Sequence, residues 1–112
     1  MSLVNIIQDD FLKYFDAAQV VDEHANVVQY TLTSPEGLIH TVYIDPRTNL
    51  VSINVASSNN VGMNAILYNI TSIRCERTEK NVIFYFYQGA RPEPIAQMMV
   101  EPSIFTTVEV QS

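Results

Sequence analysis

The sequence predicts an α+β domain in which one N-terminal amphipathic helix packs on an antiparallel β-meander of about six strands. Three observations predict it. Apolar residues recur at helical spacing near the N-terminus, they alternate with polar residues farther along the chain, and turn-forming residues separate the alternating segments. A length of 112 residues is enough for one hydrophobic core, so we expect a single domain over residues 1–112.

The helix is predicted over residues 4–21. Asp9 precedes Lys13 by four residues, which is the favourable order for an ion pair on a helix surface. Asp22 and Glu23 would oppose the helix dipole if the helix continued, so we expect it to end by residue 21. The apolar side of this helix consists of Ile7, Phe11, Tyr14, Phe15 and Ala18.

The next segments read as strands joined by turns. Alternating patterns at residues 28–33, 38–44 and 50–56 predict three half-buried strands. The Ser-Pro-Glu-Gly sequence at 34–37 matches a type I turn, and an Asp-Pro pair at 45–46 begins the next turn. The polar residues 57–62 predict a loop, which is where binding residues are commonly found.

The second half of the chain continues the strand pattern. A fourth strand is predicted over residues 65–75, with a bulge near Thr71 because the apolar phase slips there. A turn at 78–81 leads into an aromatic strand, after which Pro92 and Pro94 interrupt the sheet. Residues 95–100 predict a short helix, with an edge strand as the alternative, and residues 104–110 predict the last strand.

The aromatic strand is the most informative feature of the sequence. Side chains alternate across a strand, so Val82, Phe84 and Phe86 belong to one face. Both faces are apolar, and an uncovered aromatic row is a liability. The second face therefore lies either under the helix of the same domain or against a second subunit or partner. The interface candidates on that face are Ile83, Tyr85 and Tyr87.

Charge limits the partners. The net charge is −6, from 12 acidic and 6 scattered basic residues, whereas binding to a phosphate backbone depends on clustered cations. Nucleic acid and membranes are therefore not expected partners. The lone Cys75 cannot form an intrachain disulfide, and the N-terminus has no basic segment of the signal-peptide type, so we expect a cytoplasmic protein.

Catalytic and metal-binding signatures are weak. His40 shares a predicted apolar face with Val42 and Ile44, and a histidine in this setting is usually a neutral core residue. Asp22, Glu23 and His24 are consecutive, which is not the spacing of a zinc site. We expect no metal and no cofactor, and enzymatic activity is the minority hypothesis.

The leading functional hypothesis is a non-catalytic protein-interaction or self-assembly module, whose aromatic strand meets a second copy of the chain or another protein. The competing hypothesis is a small-molecule pocket, possibly enzymatic, between the helix and a curved sheet. Its candidate residues are His40, Tyr30 and Tyr68. A third hypothesis, a membrane-adaptor domain, ranks last because it would need a basic loop and a closing C-terminal helix.

Overall fold

Two antiparallel sheets and one helix make up the part of the chain that the computed structural model describes, residues 3–57 and 61–109. The strands pair in the order β1-β2-β3-β4-β5 in one sheet, here called sheet A, and β6-β7-β8-β9 in the other, called sheet B. The α+β class is thus correct only in part, because the fold is mostly β and exceeds six strands. The elements are α1 (Leu3–Tyr14), β1 (Ala17–Asp22), β2 (Val27–Thr33), β3 (Ile39–Asp45), β4 (Leu50–Ala56), β5 (Val61–Leu67), β6 (Ile70–Arg77), β7 (Val82–Gln88), β8 (Ala96–Glu101) and β9 (Phe105–Val108).

The helix is shorter than the sequence predicts. It ends at Tyr14, and the segment Ala17–Asp22, which we expected to be helical, is strand β1 paired with β2. The Asp16 amide donates to the Thr31 carbonyl at 2.9 Å, so the backbone here obtains its partners from β2. Pairing with the next strand overrides helical spacing, as it often does for short apolar runs that contain β-branched residues.

Sheet A is a meander in which each strand pairs with the next one in the chain. Strands β2, β3 and β4 confirm the predicted segments to within one residue at each end. The 34–37 turn is also confirmed, since the Gly37 amide donates to the Ser34 carbonyl at 2.9 Å. The inner face of these strands is formed by Val28, Tyr30, Leu32, His40, Val42, Ile44, Val51 and Ile53, all of which are buried.

The chain crosses from sheet A to sheet B at Tyr68 and Asn69. The single strand predicted over residues 65–75 is wrong, because Asn69 has a φ of 55° and divides the segment into β5 and β6. Asparagine adopts this left-handed conformation more readily than most residues. The predicted bulge near Thr71 is present as a register shift between Ile70 and Ser72.

Residues 95–100 are not a helix. The segment forms β8, which pairs with β7 on one side and β9 on the other. A short apolar run is compatible with helix or strand, and the two neighbouring strands decide the outcome here. The predicted last strand is confirmed over Phe105–Val108, while residue 110 lies outside the described residues.

One buried cluster draws side chains from the helix and from the inner faces of both sheets. At its centre the Phe11 ring is stacked against Tyr30 of sheet A and Phe84 of sheet B, with ring centroids 4.5 Å apart in each pair. Phe15 makes edge contacts to the same two rings, at 6.2 and 5.8 Å. The helix therefore packs against both sheets in one core, rather than covering one face of one sheet as the sequence predicts.

An ion pair fixes the other side of the helix. The Arg77 guanidinium at the end of β6 donates to the Asp10 carboxylate at 3.1 Å. Interaction with Tyr14 and with Asp10 raises the pKa of Arg77. Because the pair is partly exposed and screened by solvent, we expect it to orient the helix more than to stabilise it.

Phe11→Ala should lower the free energy of unfolding by about 3–5 kcal/mol, because it leaves a cavity between the two sheets. Urea unfolding followed by circular dichroism measures this. Leu12→Ala, at an exposed position on the same helix, is the matched control and should change stability by about 0.5 kcal/mol or less. Equal losses in both variants would show that helix propensity, not the ring stack, accounts for the effect.

Candidate functional site

The outer face of sheet B carries a continuous apolar surface. Strand β7 lies between β6 and β8, and β8 pairs in turn with β9, so side chains of three strands lie side by side on this face. In register, Ile83 is opposite Met99, which is opposite Phe105. We call this surface the tyrosine face, and it consists of Ile83, Tyr85, Tyr87, Met99 and Phe105.

The helix does not cover the tyrosine face. Phe84, which points to the opposite side of β7, is the residue of that strand that stacks on Phe11. Tyr85 and Tyr87 are half-buried by their neighbours within the sheet, and Phe105 is 61 % exposed. Of the two arrangements that the sequence allowed, the one with the tyrosines under the helix of the same domain is not present.

Polar side chains border this apolar surface. Arg74 and Gln97 lie opposite Tyr85 on the two neighbouring strands, and Glu76 lies opposite Ile83. All three polar residues are exposed. An apolar, aromatic centre within a polar rim is the usual composition of a protein–protein interface.

A shallow, open cavity of about 280 Å³ adjoins the tyrosine face. Gln97 and Thr107, which pair across β8 and β9, belong to both the cavity lining and this outer face. At the end of the cavity the Arg91 guanidinium donates to the Glu109 carboxylate at 2.7 Å. The remaining lining residues are Pro94, Ile95 and Ala96.

The sequence reasoning placed Ile83, Tyr85 and Tyr87 on one surface but missed Met99 and Phe105 as their neighbours. Met98 and Met99 are adjacent in the sequence, but β8 directs them to opposite faces: Met98 is fully buried and Met99 lies on the tyrosine face. The alternation along the last predicted strand could have indicated Phe105, since alternate residues of a strand lie on the same face.

Tyr30, one of the three pocket candidates, is a core residue. Its ring is stacked on Phe11 and fully buried, and this burial raises the pKa of its hydroxyl.

His40 and Tyr68 do not lie together. His40 is opposite Val55 on β4, whereas Leu67, which precedes Tyr68, is opposite Val51. Four residues along a strand correspond to about 13 Å. Tyr68 is also 62 % exposed, so the three candidates of the pocket hypothesis do not converge on one site.

His40 is buried between Leu32 and Val55, its partners on the neighbouring strands. Neither ring nitrogen has a hydrogen-bond partner among the described residues. Burial lowers the pKa of His40, and the negative charge of Glu36 opposes this only in part. The imidazole is therefore neutral at neutral pH.

Two other titratable residues, Asp22 and Cys75, have structural roles. The Asp22 carboxylate accepts hydrogen bonds from the amides of His24 and Ala25, at 3.0 and 3.3 Å, and so forms the β1–β2 turn. Burial raises the pKa of Cys75, an effect that outweighs the nearby Arg77, so the thiol is not activated. Within residues 3–57 and 61–109, no three His, Cys, Asp or Glu side chains are grouped as a metal site would need.

The predicted loop at 57–62 is shorter in the structure, because Gly62 is part of β5, and residues 58–60 lie outside the described residues. In the described part of the chain, the helix is too short and too polar to cross a membrane.

Lowering the pH below about 6.5 should lower the free energy of unfolding, because the folded state disfavours protonation of His40 while the unfolded chain does not. The slope reaches at most about 1.4 kcal/mol per pH unit for one such group. Urea unfolding at pH 7.5 and 5.5 measures it. His40→Leu should remove most of this difference, whereas His24→Gln, at an exposed turn, should leave it intact. A difference that persists in His40→Leu would assign it to other groups.

Comparison with known proteins shows a likeness in fold. No protein-family model matches the sequence, and a search of curated proteins gives no match. A chain of the solved contact-dependent growth inhibition toxin–immunity protein complex from Klebsiella pneumoniae 342 is similar in structure, with a TM-score of 0.71 and 14 % sequence identity. The match covers 88 % of this chain and 89 % of that chain. At this identity the likeness establishes a shared fold alone. The similar chain is part of a toxin–immunity protein complex.

Proposed function

We propose that this chain is a non-catalytic protein-binding module that recognises another protein through the tyrosine face. The observation that carries the proposal is the outer side of β7, where Ile83, Tyr85 and Tyr87 form an apolar row that the helix leaves uncovered. Tyrosine supplies a large contact area and one polar group at low entropic cost, and it is enriched among the residues that dominate binding energy.

Charge indicates the chemistry of the partner. With a net charge of −6, this chain attracts basic proteins and repels a second copy of itself at long range. We therefore favour a basic protein over self-association as the partner. Self-association through the same face is the alternative, and the solution mass separates the two.

The similar structure supports a more specific role. The similar chain comes from a complex between a contact-dependent growth inhibition toxin and an immunity protein. We propose the immunity-type role for this chain: it would occupy and block the working surface of a basic toxin. The acidic charge and the lack of convergence among His40, Tyr30 and Tyr68 favour this role over that of the toxin. We also propose a cytoplasmic location, since the lone Cys75 fits a reducing compartment.

Photo-crosslinking in cells identifies the partner. A photoreactive phenylalanine analogue at position 85 should crosslink to one basic protein, and the same analogue at position 43, on the outer face of sheet A, should not. Crosslinks only between copies of this chain would favour the homo-oligomer. The same products from both positions, or none from position 85, would contradict the proposal.

With the partner identified, Tyr85→Ser combined with Tyr87→Ser should weaken binding by about 2 kcal/mol or more, because both substitutions remove central aromatic contacts. Calorimetric titration measures this. Tyr43→Ser combined with Tyr68→Ser is the matched control, which removes two tyrosines outside the tyrosine face and should leave the affinity unchanged. Equal loss in the two double variants would mean that the tyrosine face is not the binding surface.

A further inference from the structure

Strand β1 is an edge strand with both faces open. It pairs only with β2, so the other side of its backbone is unpaired within the described residues. Its first five residues are all exposed, including Val20 at 61 % and Val21 at 48 %. Because consecutive residues from Ala17 to Val21 are all exposed, neither face of the strand is covered by the other described residues.

Most of this edge lacks the features that usually prevent strand addition. Exposed edges are commonly protected by Lys or Pro residues, by very short strands, or by bulges. From Ala17 to Val21 there is no charged residue and no proline, and the register is interrupted at the end of the strand, between Val20 and Asp22. Two other edges differ, because β6 contains Arg74, Glu76 and Arg77 and β9 has four residues.

The charges around β1 are acidic. Between Lys13 and Arg47 the chain contains five acidic residues and no lysine or arginine. Two of these acids, Asp16 and Asp22, are at the two ends of β1, and Glu23 follows directly. The nearby Arg47 is bonded to the Asp45 carboxylate at 3.1 Å, and this bond, with a smaller effect of Asp22, raises the pKa of Arg47. An incoming strand therefore meets an apolar template with negative charge at both ends.

A second copy of the chain fits this edge poorly in the register centred on Gln19. Antiparallel pairing of β1 with itself about Gln19 would place Asp16 of each copy opposite Asp22 of the other. Like charges directly opposite each other destabilise paired strands. A strand with lysine or arginine at these positions would instead form two favourable pairs.

We propose that the free edge of β1 is a strand-addition site for an extended, basic segment of another protein. Main-chain hydrogen bonds to the edge supply affinity, the apolar contacts of Val20 and Val21 fix the register, and the terminal acids select lysine or arginine. The site is separate from the tyrosine face and does not depend on it, so each surface is tested without the other.

The probe is a seven-residue peptide that alternates valine and lysine, compared with the same peptide carrying glutamate in place of lysine. Binding is followed by fluorescence anisotropy, and amide hydrogen exchange locates the contact. The lysine peptide should bind and slow exchange in β1, and the glutamate peptide should bind at least about tenfold more weakly, a difference of about 1.4 kcal/mol. Equal binding of both peptides, or protection at another strand, would overturn the proposal.

Val20→Lys and Val21→Lys should each weaken binding of the lysine peptide at least about tenfold, while Ile66→Lys, the same change at an exposed position of β5 on the other edge, should not. Circular dichroism confirms that each variant is folded. Tyr85→Ser combined with Tyr87→Ser should leave peptide binding unchanged, which separates this site from the tyrosine face. Equal weakening by Ile66→Lys would overturn the proposal. A dimer of this chain that Val20→Lys dissociates would also overturn it, because that result would favour self-pairing of β1.

Discussion

The stack of Tyr30, Phe11 and Phe84 is the interaction on which the rest of the structure depends. The two sheets belong to consecutive halves of the chain, and in each of them strands pair only with their neighbours in sequence. Among the described residues no strand of one sheet pairs with a strand of the other, so side-chain packing joins their inner faces. Phe11 contacts both sheets at once, and its position explains why β7 directs its phenylalanines inward and its tyrosines outward.

The sequence predicted the elements whose pattern is local. Strands β2, β3 and β4 combine a clear alternation with strong turn residues, and their limits differ from the predictions by at most one residue. The helix predictions for segments 17–22 and 95–100 were wrong, because short apolar runs fit a helix or a strand equally well. Pairing with β2 decides the first segment, and pairing with β7 and β9 decides the second. Neither partner is visible in the local pattern.

The local sequence pattern was equally limited in predicting the candidate surfaces. Alternation alone grouped Ile83, Tyr85 and Tyr87, but which face the helix takes depends on Phe11, far away in the sequence. The separation of His40 from Tyr68 depends on strand register, which the sequence does not reveal. The β1 edge was overlooked because its residues were assigned to the helix, although the two adjacent valines and the unfavourable position of Asp22 pointed to a strand.

The corner at Tyr68 and Asn69 joins the two sheets through only two residues, and several hydrogen bonds close it. The Gln88 side chain donates to the Tyr68 carbonyl at 2.9 Å, the Gly89 amide donates to the Asn69 carbonyl at 3.0 Å, and the Ile70 amide donates to the Asn49 carbonyl at 2.9 Å. These bonds hold the end of β7 directly beside the tyrosines. A surface that is rigid before association loses little conformational entropy when it is bound, so more of its contact energy becomes affinity.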